Sequence, residues 1–167
     1  LDIVRGGVND VLATHLGLEE ISSFAVTAET DGITESLGRV GVLPAPMDAL
    51  LFARQVKERL GVTHVRLAAA AARPVRRVAV CGGAGAEFID NAVRLGADAY
   101  VTGDVKYHDA QRAIEQDMHI IDAGHFGTEV PVLPVLVERL RTELADAHGE
   151  IEIFVTNTQR DVFDVIV

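Results

Sequence analysis

The sequence predicts an α/β protein built on a mostly parallel sheet with helices on both faces. Three observations predict it. From Val75 onward, short apolar runs alternate with helix-spaced segments: 75–83, 97–103 and 118–124 read as strands, 86–96 and 107–117 as helices. The connections between them are short, as strand–helix–strand units with parallel pairing require. The 167 residues are 49% hydrophobic and 24% charged, a profile that supports one domain of ordinary size with a real core.

Each element has its own signal. Val8, Val11, Leu12 and Leu16 recur at helical spacing within 6–18, with Gly7 or Asn9 to cap the start and Gly17 to end it. Residues 19–36 are mixed and polar, with room for one strand around Phe24–Val26. Residues 36–44 read as a short strand between glycines, stopped by Pro44. Residues 46–61 form a helix that Pro46 introduces and Gly61 caps, with Leu50, Leu51, Ala53, Val56 and Leu60 on one face. Residues 64–70 suggest a strand. After the regular region, 130–149 reads as mostly helix, with Pro131 and Pro134 in its first turns, and 150–157 and 161–167 read as two last strands. A division of the chain falls near residues 37–45, leaving 1–40 as one part and 41–167 as the other.

Composition excludes several functions. A formal net charge of −10 argues against nonspecific nucleic-acid binding, and 5% aromatics with no Trp makes base stacking an unpromising theme. No apolar run approaches the ~18 residues of a membrane span. The one cysteine, Cys81, allows no intrachain disulfide, which fits a cytoplasmic setting, and it lacks an activating base. No GxSxG elbow is present. His15, His64, His119 and His148 read as structural or exposed.

Ligands of an open parallel sheet bind beyond the carboxyl ends of its strands, so three loops draw interest. "CGGAGAEF" (81–88) is a glycine-rich turn into a helix; Gly82, Gly83 and Gly85 either present N–H groups to a phosphate or only make the turn tight. "TGDVKYH" (102–108) carries Asp104 and His108 four residues apart, one face of a helix if it begins there. Asp104 could instead be a helix cap and His108 a surface residue. Lys106, one of only two lysines, could contact a substrate anion or be solvated. "DAGHFGTE" (122–129) places His125 and Glu129 four apart, the spacing that aims an imidazole and a carboxylate at one metal ion. The plainer alternative is a loop histidine and an acid at a helix start. Nitrogen and oxygen donors without a thiolate cluster suit Zn, Mn, Fe or Mg.

"VAVCGGAGAEFIDNAVRLGADAYVTGDVKYHDA" followed by "IIDAGHFGTE" resembles the Nif-three-like family, whose members also go by GTP cyclohydrolase I type 2 homologue and dinuclear metal centre protein. "LDIVRGGVNDVLA" and "LGRVGVLPAPM" are similar to the family as well, so the resemblance spans essentially the whole chain. It implies that this sequence is the C-terminal portion of a two-lobed fold, with 1–40 the remainder of the N-terminal lobe. It also implies a toroidal homohexamer and a site for two divalent metal ions in a cleft between the lobes. The ligands it implies are a His-His pair from the first lobe, an Asp before the "GGVND" helix, and the His and Glu of "GHxxTE". The last three fall on Asp2, His125 and Glu129. Asp104 and His108 match the family's "GDxKYH" loop and would line the cleft. No two consecutive histidines occur here, and the sequence opens inside a motif, as a portion of a longer protein would.

The resulting expectation is a metal-dependent hydrolase acting on a small anionic or nucleotide-like substrate. Asp2, His125 and Glu129 would hold the ions. Asp104 and His108 would move protons, and Lys106 with Gly82, Gly83 and Gly85 would bind phosphate. The alternative is a non-enzymatic metal-binding scaffold or regulatory ring.

Overall fold

A computed structural model describes residues 1–30, 33–71, 73–145 and 151–166. In chain order it contains α1 (Val8–His15), β1 (Glu19–Thr30), β2 (Ile33–Met47), α2 (Ala49–Leu60), β3 (Arg66–Ala68) and β4 (Val75–Ala84). A 3-10 turn over Ala86–Phe88 leads into α3 (Ile89–Arg94), followed by β5 (Ala99–Gly103), α4 (Tyr107–Glu115), β6 (His119–Asp122), α5 (His125–Glu129) and α6 (Val132–Glu143).

The strands form one sheet in the order β1-β2-β4-β5-β6-β3. Its centre, β4-β5-β6, is parallel, and the flanking pairs are antiparallel. Successive side chains of a strand face opposite ways, so β4 feeds two cores. Val78 and Val80 pack with Leu12 of α1 and with Phe52 and Val56 of α2. Ala79 and Cys81 pack with Ile89 and Ala92 of α3 and Ala113 of α4. Helices therefore cover both faces, and strands buried on both sides read as continuous apolar runs. No helix of the described residues is long and apolar enough to cross a membrane.

The structure departs from the sequence-based expectations at several places. β1 and β2 form a long hairpin where only two short strands were expected. β2 continues through Pro44 and Pro46 to Met47, because its ladder to β4 is interrupted between Val42 and Met47, where a missing N–H costs nothing. Residues 37–45, where the sequence suggested a division of the chain, lie within β2, which pairs with both β1 and β4. In α2 the inward face is Ala49, Phe52, Ala53, Val56 and Leu60, whereas Leu50 and Leu51 are exposed. Asp48 caps this helix, its Oδ1 accepting the N–H groups of Leu50 at 2.8 Å and Leu51 at 3.2 Å.

The helix expected over 130–149 is two: α5 starts at His125, and α6 runs from Val132 to Glu143 behind Pro131. Residues 146–150, and with them His148, lie outside the described residues. The last two expected strands, 150–157 and 161–167, do not form: 151–166 contains no strand. A strand needs a ladder partner, and this segment makes none. The Ile153 carbonyl, for example, accepts from the Arg141 guanidinium at 2.6 Å.

Two further polar groups stabilise the frame. Arg39, almost fully buried, holds Asp10 of α1 through two nitrogens, Nε at 2.7 Å and Nη2 at 2.9 Å, while Nη1 donates to the Ser36 and Gly38 carbonyls. His119 is buried as a neutral link: Nδ1 accepts from Ala70 N–H at 3.1 Å, so Nε2–H donates to the Arg73 carbonyl at 2.9 Å.

Candidate functional site

The carboxyl ends of β4, β5 and β6 lie side by side, with Ala84 opposite Gly103 and Thr102 opposite Asp122. The three loops that leave them converge, as parallel pairing requires. Gly85 N–H donates to Thr102 Oγ1 at 3.0 Å, and Gly83 N–H donates to Thr128 Oγ1 at 2.9 Å. Val105 N–H donates to Asp122 Oδ2 at 3.1 Å.

Asp122 explains one of the acids at this strand–helix junction. It is buried, and one oxygen accepts the Val105 N–H while the other accepts the Gly124 N–H at 3.0 Å. Arg66, paired with it across β3 and β6, supplies the counter-charge. Asp122 thus fixes two rim loops.

His125 opens α5 behind Gly124, whose φ of 79° sets the sharp turn. Its Nδ1 lies 2.7 Å from Asp104 Oδ2, and its Nε2 lies 3.3 Å from Glu129 Oε1 one helical turn on. The hydrogen bond that the imidazole donates to Asp104 holds its pKa above the ordinary value; burial opposes this and the Glu129 charge reinforces it. Asp104 reaches His125 because its backbone is left-handed, φ 55°, a conformation that strains most side chains but that Asp tolerates.

This arrangement reassigns Asp104 and His108. They do not share a helical face, since α4 is capped at Lys106 and Asp104 lies before it. Asp104 is committed to His125. His108 is exposed and meets the Tyr107 ring edge-on at 5.5 Å. Lys106 is exposed and makes no side-chain cap.

The glycines serve close approach. Gly82, Gly83 and Gly85 each commit their N–H within the protein, to Asn9 Oδ1, Thr128 Oγ1 and Thr102 Oγ1. A Cβ on Gly83, whose φ is 68°, would sit 2.6 Å from Glu129 Oε1 and 3.2 Å from His125 Nε2. On Gly85 it would meet the Tyr100 hydroxyl at 2.5 Å. These amides are thus not free to cradle a phosphate in this state. Cys81 is buried, which pushes its thiol up to about 11, so it is not a nucleophile at neutral pH.

Asp2 is exposed beside this rim. Buried Asn9 latches its segment there, donating to the Asp2 carbonyl at 2.8 Å and accepting Gly82 N–H at 2.9 Å. The Asp2 charge contributes to the upward shifts of both Cys81 and His125. Among the described residues no three His, Cys, Asp or Glu side chains converge as a metal-binding group. The converged donors are His125 and Glu129. Two donors each about 2.1 Å from one ion at a near-tetrahedral angle stand about 3.4 Å apart, close to the observed 3.3 Å, which is equally the length of a direct imidazole–carboxylate contact. They open onto a cleft of about 950 Å³ that Asp104, His64, Phe126 and Phe163 also line.

Sequence reasoning missed Thr128 and Arg66, singled out Asp122 without its partners, and offered Asn9 only as a helix cap, a place that Gly7 takes. The partners of Asn9 and Thr128 lie 73 and 45 residues away.

Residues 1–162 match the family model described as Duf34/NIF3 (NGG1p interacting factor 3). A GTP cyclohydrolase 1 type 2 homolog of Clostridium perfringens is 32% identical over 99% of this chain and 61% of its own length. One of Nostoc sp. is 39% identical over 84% of this chain and 53% of its own length. The chain thus spans between about half and three fifths of these curated relatives. The crystal structure of a Bacillus cereus protein related to NIF3 superposes with a TM-score of 0.92 at 22% identity, over 99% of this chain and 71% of that one, a likeness of fold.

Proposed function

The chain belongs to the Duf34/NIF3 family, and from that premise we propose that it supplies one side of the site of a metal-dependent hydrolase. The observation that carries this reading is the Asp104–His125–Glu129 line. A carboxylate on Nδ1 fixes the tautomer and aims Nε2 outward, the arrangement that orients metal-bound imidazoles. Nε2 and Glu129 Oε1 then face one point, and Gly83 leaves that point clear.

His125 and Glu129 would hold a divalent ion, with Zn, Mn, Fe and Mg all suited to nitrogen and oxygen donors. Asp2 would join them in holding metal, and the remaining ligands would come from outside the described residues. Such ions supply a Lewis acid that makes bound water acidic near neutral pH. Asp104 positions His125, His108 on the exposed start of α4 would move protons during the reaction, and Lys106 attracts a small anionic or nucleotide-like substrate. The name GTP cyclohydrolase 1 type 2 homolog belongs to the relatives; no residue pair here reads guanine.

The test is hydrolysis of a nucleotide panel by the intact gene product loaded with Mn or Zn. Activity that needs the metal and falls in both His125→Ala and His108→Ala is the expected result. Metal-dependent activity that persists in His125→Ala would refute the assignment. A second reading, a metal-binding scaffold or ring-forming hexamer without catalysis, is favoured by one observation: only two donors converge among the described residues.

A further inference from the structure

Beside the His125 cleft lies a smaller cavity of about 220 Å³. Arg66, Lys106 and Tyr107 line it together with Leu67, Ala68 and Ile120. Arg66 and Asp122 line both cavities, so the two share a wall.

Arg66 is set in that wall by strand register. It faces Asp122 across the antiparallel β3–β6 pair. Its Nη2 donates to the Val105 carbonyl at 2.7 Å and to Asp122 Oδ2. Among the described residues neither Nε nor Nη1 makes a hydrogen bond, and the side chain is 64% exposed. The guanidinium is therefore clamped at one nitrogen and presents the others, which limits the entropy lost on binding a ligand. Lys106 forms no ion pair among the described residues. The charged groups lining the small cavity are Arg66, Lys106 and Asp122. Two cations against one carboxylate leave a single net positive charge, in a chain whose formal net charge is −10.

We propose that this cavity is a specificity subsite for a singly charged oxyanion attached to a compact apolar group. Arg66 and Lys106 bind the oxyanion, and the half-buried Leu67, Ala68 and Ala110 on the cavity wall accept the apolar part. A dianion would be left half-neutralised, and a bare ion would leave the apolar wall wet. The wall shared with the larger cleft lets the rest of the same molecule reach His125 and Glu129. This deepens the hydrolase reading and rests on it for the reaction, but the subsite itself requires no metal. Carboxylates and phosphodiesters share the required chemistry, and the probes below separate them.

Isothermal titration of the intact gene product with benzoate, with methyl phenyl phosphate and with inorganic phosphate tests the subsite. At least one aromatic monoanion should bind saturably and at least about tenfold more tightly than inorganic phosphate. Arg66→Gln and Lys106→Gln should each weaken it about tenfold. Because Arg66→Gln also unpairs Asp122, the exposed Lys106→Gln carries the argument if the first variant is poorly folded. The same titration on protein stripped of divalent metal with a chelator should give the same preference for the aromatic anion, so failure of the metal reading would not touch it. The subsite is wrong if neither aromatic anion saturates, if inorganic phosphate binds as tightly, or if Lys106→Gln binds as the wild type does.

Discussion

Gly83→Ala separates what a backbone conformation costs from what a side chain displaces. At φ 68° an alanine is strained by about 1–2 kcal/mol. Its Cβ would also stand 2.6 Å from Glu129 Oε1, closer than real Cβ contacts come, and 3.2 Å from His125 Nε2, a tight contact. Glu129 is 40% exposed on its side chain and can swing aside, so the extra loss of stability should be small. The separation of 3.3 Å between the two donors cannot survive that swing. Gly96 supplies the control: its φ is 71°, and a Cβ there meets nothing within 4 Å. Gly96→Ala should therefore lose about 1–2 kcal/mol in urea denaturation and keep its affinity for Zn or Mn. Gly83→Ala should lose a similar stability, within about 1 kcal/mol, and at least about tenfold in metal affinity by calorimetry. Equal metal affinities in the two variants would refute the view that Gly83 keeps the space between His125 and Glu129 clear.

Three further outcomes follow from the same geometry. Asp104→Asn removes the carboxylate that holds the His125 pKa up, so an NMR titration should find that pKa lower than in the wild type, and metal affinity should fall about 10–100-fold. Asp10 is raised by burial but lowered more by its hydrogen bonds from Arg39 and Gly6, giving a folded pKa below the unfolded value. Its stabilisation is therefore complete above about pH 4 and lost as pH falls through the folded pKa. Asp10→Asn should accordingly destabilise by up to about 3 kcal/mol at pH 7, and by less near pH 3, in urea denaturation. Asp48→Ala removes the cap of α2 and should cost about 1 kcal/mol with no change at the rim.

What the sequence made legible follows physical lines. β4, β5 and β6 were readable because strands buried on both faces are continuous apolar runs, and α3 between the first two is followed by Gly96, whereas α4 ends without a glycine, at Asp117 with φ 57°. His125 and Glu129 were readable because one helical turn brings them together. The β1–β2 hairpin was not, because an edge strand tolerates polar residues and β2 passes two prolines where its ladder is already broken. The Asp104–His125 partnership was hidden because φ 55° turns Asp104 away from the α4 helix that its spacing to His108 suggested. Arg66 opposite Asp122 depends on register across 56 residues, which no local pattern reveals.

The central claim is that His125 and Glu129 hold a metal ion. The most direct measurement is elemental analysis of the dialysed intact gene product, beside His125→Ala with Glu129→Ala, each reloaded with Zn or Mn. The account predicts about two ions per intact chain, lost in the double variant while its circular dichroism stays native. Metal retained by the double variant, or none in the intact protein after reloading, would contradict it.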